Sequence, residues 1–172
     1  GTSASHAITG VGFQPDWVWI KHRNHGTAHQ HNLFDAVRGV NKTLHSNSNE
    51  AEESLSDRLN SFNADGFTIG NADELNDSGV NYVGWTWKAN GSGSANTNGS
   101  INSTVSANVD AGFSIVSWDS NGSNATIGHG LSKAPEMIIL KEREESDPWH
   151  TYHEVLGNTA AVYLSTTGAA DV

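Results

Sequence analysis

The chain has 172 residues, of which 35% are hydrophobic and only 16% charged, with 18 Gly and no Cys. Ordinary domains carry about 25% charged residues; here Asn, Ser, Thr and Gly supply the polarity, and they favour short strands and tight turns over long helices. The formal charge of −10 argues against nucleic acid as a partner, and the missing thiols exclude disulfides and zinc–thiolate sites.

No apolar run approaches the roughly 18 residues of a spanning helix, so membrane insertion is not expected. The opening GTSASH is small and polar, and the chain starts without Met. That start suits a processed or excised piece. Six Trp, three Tyr and five Phe provide enough apolar surface for a core.

In chain order, β-branched and aromatic runs between turn clusters predict strands over residues 17–23, 42–46, 66–70, 82–89, 100–107, 112–118, 124–127, 136–143, 149–153 and 161–166. In 82–87, YVGWTW alternates with period two and puts Trp85 and Trp87 on one face. Residues 51–62 (AEESLSDRLNSF) are the one stretch that suits a helical turn, with a loop as the alternative. Residues 91–100 (GSGSANTNGS) read as a flexible connector.

The chain repeats itself. Pro15-Asp16-Trp17-Val18-Trp19-Ile20-Lys21 aligns with Pro135-Glu136-Met137-Ile138-Ile139-Leu140-Lys141, 120 residues later. Residues 42–46 match 162–166 at the same offset, and 34–39 match 152–157 with a two-residue slip. The expected organisation is most of a first sandwich repeat in 1–98. Closing and opening strands and the truncated start of a second repeat follow in 99–172. Such a cut leaves a sheet edge uncovered, so either the native chain continues or the piece completes itself against a neighbour.

The ordered motifs GFQPDWVWIK, LFDAVRG, FNADGFTIG, YVGWTW, AGFSIVSW, IGHGL and PEMIILKER resemble a repeat domain of marine phage proteins. That family is similar to concanavalin A-like lectin and glucanase sandwiches and occurs in tail-fibre, spike and other virion-surface proteins. The resemblance implies an all-β, jelly-roll (concanavalin-like) β-sandwich with an internal repeat of about 120 residues, on a virion surface or extracellular. It implies no defined reaction.

Six groups of residues are weighed as sites. His22, His25, His29 and His31 crowd one loop and have the spacing to converge on a divalent metal, the only cofactor considered; a solvated polar loop is the bland alternative. Trp17 and Trp19 are replaced by Met137 and Ile139 in the second copy, which points to packing. Trp149 and His153 follow a charged loop where a rim could take a ligand, with core packing as the alternative for Trp149. Glu142 and Glu144 alternate as a glycosidase pair would at a strand end, although the first copy has His22 and Asn24 there. Asp35 and Arg38 either pin their own loop as an ion pair or offer a polar cluster to a glycan or a neighbouring subunit. The oxygen-rich stretch 119–124 lacks the bidentate Glu of a calcium loop and reads as a turn.

Together these expectations describe a non-enzymatic surface module that attaches to a host glycan. The first alternative is a self-assembling appendage or fibre subunit that exchanges strands between copies, which makes a homo-oligomer. The second is a glycan hydrolase on the same fold.

Overall fold

The computed structural model describes residues 1–168. Its strands are β1 (His6–Thr9), β2 (Trp17–His22), β3 (Asn32–Asp35), β4 (Lys42–Thr43), β5 (Glu53–Ser54), β6 (Leu59–Asn63) and β7 (Gly66–Ile69), then, past a helical turn α1 (Asp73–Asn76), β8 (Tyr82–Trp87). There follow β9 (Ser94–Asn96), β10 (Ser103–Asn108), β11 (Phe113–Trp118), β12 (Met137–Leu140), β13 (His150–His153) and β14 (Val162–Tyr163). Among the described residues the helical content is α1 and a 3-10 turn at Glu154–Leu156, so the protein is all-β.

Four three-stranded sheets organise the chain, in the orders β1-β7-β6, β3-β2-β8, β11-β10-β9 and β12-β13-β14, with β4 and β5 forming a small ribbon. All the strand pairs are antiparallel. β2 shows the rule that builds them. Its period-two alternation buries Val18, Ile20 and His22 and leaves Trp17, Trp19 and Lys21 half-exposed on the other face. The buried set meets Phe34 from β3, Leu59, Phe67 and Ile69 from the β1-β7-β6 sheet, and Leu75 from α1 in one apolar core. Each such side chain stabilises the fold by about 1.5–3 kcal/mol through removal from water.

Turns close these sheets with defined chemistry. The β6–β7 hairpin needs Gly66, which sits at φ +139. A Cβ there would come 1.9 Å from the Ile8 carbonyl oxygen of β1. Just before it, the Asp65 carboxylate accepts from the Gly10 and Gly12 amides at 3.0 and 2.6 Å and ties the hairpin to the exit of β1. Those bonds hold its carboxyl below the usual range, Gly12 more than Gly10.

Two hairpins are alike. Nine residues separate β2 from β3 and nine separate β12 from β13 (residues 23–31 and 141–149). Val18 pairs with Phe34 in one; Ile138 pairs with Tyr152 in the other. Their surroundings differ. β2 has β8 along its second side, whereas β12 ends its sheet. Val18 is 0% exposed and Ile138 38%.

Several expectations change. Residues 51–62 form β5 and the start of β6 rather than a helical turn, because Leu59 is drawn into the apolar core. Residues 124–127 make no strand, only a bridge from Ile127 to Gly99. Part of the expected connector is β9, which pairs with β10, so this sheet takes strands from both sides of residue 98.

Candidate functional site

Asp35 and Arg38 belong to the interior. The Asp35 carboxylate caps its own turn by accepting from the Val37 and Arg38 amides at 3.1 and 2.8 Å, and it also accepts from Arg38 Nε. Arg38 then donates to Glu52 Oε2 at 3.0 Å and to the Leu33 carbonyl at 3.2 Å. Arg143, from the segment after β12, reaches the same Glu52. With both partners buried and their polar atoms engaged, the pair pins a loop and presents nothing to a solute. The ligand-binding role considered for Asp35 and Arg38 gives way to the structural one.

Trp149 is likewise interior. It is 2% exposed, packs with Leu33 and Leu44, and donates its indole N–H to the His45 carbonyl at 2.9 Å. No ring face remains for a sugar. His153 is exposed but turned to its own backbone, capping the 3-10 turn by accepting from the Val155 amide at 3.3 Å. Trp149 and His153 therefore do not form a joint binding site.

Glu142 and Glu144 lie beyond the strand, because β12 stops at Leu140. Both are exposed, and Glu142 Oε1 accepts from the Glu144 amide at 2.9 Å, a local turn bond. Without a strand to aim them, the two carboxylates do not share a sheet face across a substrate. The glycosidase arrangement is absent at this pair.

The histidines separate into two groups. His22, His25 and His29 gather, with ring centroids 5.6, 5.6 and 4.4 Å apart. His31 stands away from them and accepts from the Trp19 indole N–H at 2.9 Å. His25 is turned to the Asp77 carboxylate at 3.2 Å. The Lys21 ammonium is 2.6 Å from His22 Nε2, and the His29 amide donates to the same nitrogen at 3.1 Å. The proton of His22 therefore belongs on Nδ1, which is buried without a partner. Burial first, and the Lys21 charge second, hold the His22 pKa below its ordinary value. Among the described residues no group of three or more His, Asp or Glu is disposed to hold a metal ion. Of the set His22, His25, His29 and His31, Lys21 sits against His22 Nε2, the Asp77 carboxylate against His25 Nε2 and the Trp19 indole against His31 Nδ1, so the four rings do not converge on one point.

The most developed surface feature is an aromatic strip that joins Trp17 and Trp19, weighed above and read as packing, to Trp85, Trp87 and Phe113, which were not weighed as a site. Trp17 faces Trp87 and Trp19 faces Trp85 across the β2–β8 ladder. Trp19 and Trp85 meet edge-on at 5.8 Å; Phe113 of β11 meets Trp17 edge-on at 6.5 Å and stacks with Trp87 at 6.3 Å. Trp17 and Trp19 settle onto Leu33, Leu44 and Trp149, which makes them the underlayer. Trp85 and Trp87 remain 45% and 39% exposed. The signal was in the sequence: the alternation of YVGWTW sets both indoles on one face, and only the distribution of cover between the faces was unknown.

The fold and site define an all-β protein whose open face is aromatic, with its ionic chemistry consumed internally. It belongs to a family described as a domain of unknown function (DUF7483), whose model matches residues 1–172. No curated protein and no solved structure matches the chain.

Proposed function

We propose that this chain is a non-enzymatic module of a virion or other extracellular surface that attaches to host-surface carbohydrate through Trp85 and Trp87. The observation that carries the reading is the exposure of both indoles on a rigid support of Trp17, Trp19 and Phe113. A flat ring covers the apolar face of a pyranose, and a ring held by its neighbours loses little freedom on binding. Such a site selects sugars by shape and stacking. The jelly-roll architecture and the 120-residue repeat are part of the same proposal, supported by the like registers of the β2–β3 and β12–β13 hairpins.

The test is a glycan array probed with the chain and with a Trp85→Ala, Trp87→Ala variant whose circular dichroism matches the parent. Retention of the parent and at least tenfold weaker retention of the variant is expected. Equal retention, or none by the parent, overturns the reading.

A second reading, assembly by strand addition between copies, is favoured by one observation. All four residues of β12 are exposed, and β12 ends its sheet. Main-chain hydrogen bonds at a free strand edge are a ready source of affinity.

A further inference from the structure

Two features without a strand partner among the described residues complement each other. One is β12, an apolar edge strand with Met137 49% exposed and Ile138, Ile139 and Leu140 each 38% exposed. The other is the outer side of β8, which also ends its sheet and borders an apolar groove of about 380 Å³. Ile8, Ile20, Phe67, Val80 and Val83 line that groove. It opens where the β3-β2-β8 and β1-β7-β6 sheets end with β8 and β1 respectively.

We infer that β12 of one copy adds antiparallel to the outer edge of β8 in a second copy and lays Ile138 and Leu140 over the groove. The β2–β8 ladder supplies the pattern. Val18 opposes Thr86 and Ile20 opposes Gly84. β12 (MIIL) aligns without a gap on residues 17–20 of β2 (WVWI) and pairs with its following strand in the same register. The same register on the free edge of β8 sets Ile138 opposite Thr86 and Leu140 opposite Gly84. Residues directly opposite share a sheet face, so both aliphatic side chains lie on the side of the groove. Gly84 leaves room there: a Cβ on it would be in ordinary contact with Phe67 at 3.7 Å and Ile20 at 4.0 Å. The contact uses different surfaces on the two copies. It is heterologous and runs head to tail, into a filament where the rotation stays open and a ring where it closes. It deepens the assembly reading and rests on it.

The absence of Cys makes trapping clean, since any disulfide reports an introduced thiol. Opposed antiparallel positions have the Cα spacing a disulfide needs. Chains carrying Ile138→Cys are mixed with chains carrying Thr86→Cys under mild oxidation. The heterodisulfide is expected at least fivefold above that from Ile138→Cys mixed with Asn121→Cys, a turn far from both edges in sequence. Sedimentation of the Cys-free chain should show mass rising with concentration beyond a dimer, and Leu140→Lys should suppress it. Trapping no better than the control overturns this interface; oligomers that persist without trapping leave assembly standing by another contact. A preferred Ile138→Cys homodisulfide overturns it in favour of β12 pairing with itself.

Discussion

Arg143 grips Glu52 through two hydrogen bonds, Nε on Oε2 at 3.1 Å and Nη2 on Oε1 at 3.0 Å, across 91 positions of sequence. The contact is doubled in the backbone, where the Glu52 amide donates to the Arg143 carbonyl at 2.7 Å. It fastens the segment that follows β12 to the ribbon before β6. Arg38 Nη1 donates to Oε2 of the same carboxylate at 3.0 Å. One buried acid therefore joins the Asp35 turn to the later hairpin.

Glu52→Gln is expected to destabilise the protein by about 3–5 kcal/mol, because the Arg38 guanidinium is left buried without its full counter-charge. Urea unfolding measures this. Burial alone would raise the Glu52 pKa, but the bonds from Arg143 and Arg38 outweigh it and hold the group below 4.5. A carboxylate depressed in the fold contributes stability that is complete above its unfolded pKa and is lost as pH falls through the folded one. The parent should thus lose stability below about pH 4.5 more steeply than Glu52→Gln. Parallel acid curves would remove the network as its source.

His22 predicts a second transition at milder pH. Its folded pKa is lowered by burial and then by Lys21, with His29 and His25 adding smaller charge effects against one favourable bond to the His29 carbonyl. Asp77 faces the group only through His25. A base lowered in the fold keeps full stability above its unfolded pKa of about 6.5 and loses stability as pH falls from there towards the folded value. Melting temperature should fall as pH drops below about 6.5, and His22→Phe should flatten that fall. His31 is lowered chiefly by burial and contributes in the same direction.

Trp149 should behave as a core residue. Trp149→Ala is expected to cost about 3–5 kcal/mol through lost packing and the cavity left behind. Trp149→Phe should cost less while stranding the His45 carbonyl that the indole satisfies. Acrylamide quenching of single-Trp variants separates the two environments: Trp85 and Trp87 should be quenched readily and Trp149 hardly at all.

Gly66→Ala tests the seam between β1 and β7. A methyl group placed 1.9 Å from the Ile8 carbonyl oxygen must push β1 away, at a φ that L side chains rarely adopt. Thermal unfolding should drop sharply, and hydrogen exchange should accelerate in residues 6–9 first. Unchanged protection at Ala7 and Ile8 would count against the close approach.

Strands with strong period-two alternation were legible from residues alone. β2, β8, β10 and β11 fall within or beside their predicted spans, since alternation needs no knowledge of what covers each face. β1, β3, β5, β6 and β9 were not predicted. NLFD is buried at every position and SAN is a short polar strand, so neither carries an alternating signal. The site followed the same division. Asp35 and Arg38 were recognisable as a pair, but their third partner, Glu52, and the Arg143 that completes the cluster lie too far along the chain for spacing to join them.

Residue chemistry and local periodicity act over a few neighbours, and they suffice to establish an acidic, Cys-free, all-β chain. Which face of β2 is core, why Trp149 is interior while Trp85 and Trp87 are open, and how Lys21 and Asp77 come to sit against the histidines emerge from the packing of distant segments. Burial and ionic pairing depend on what other segments bring to a side chain, and that is a property of the assembled sheets.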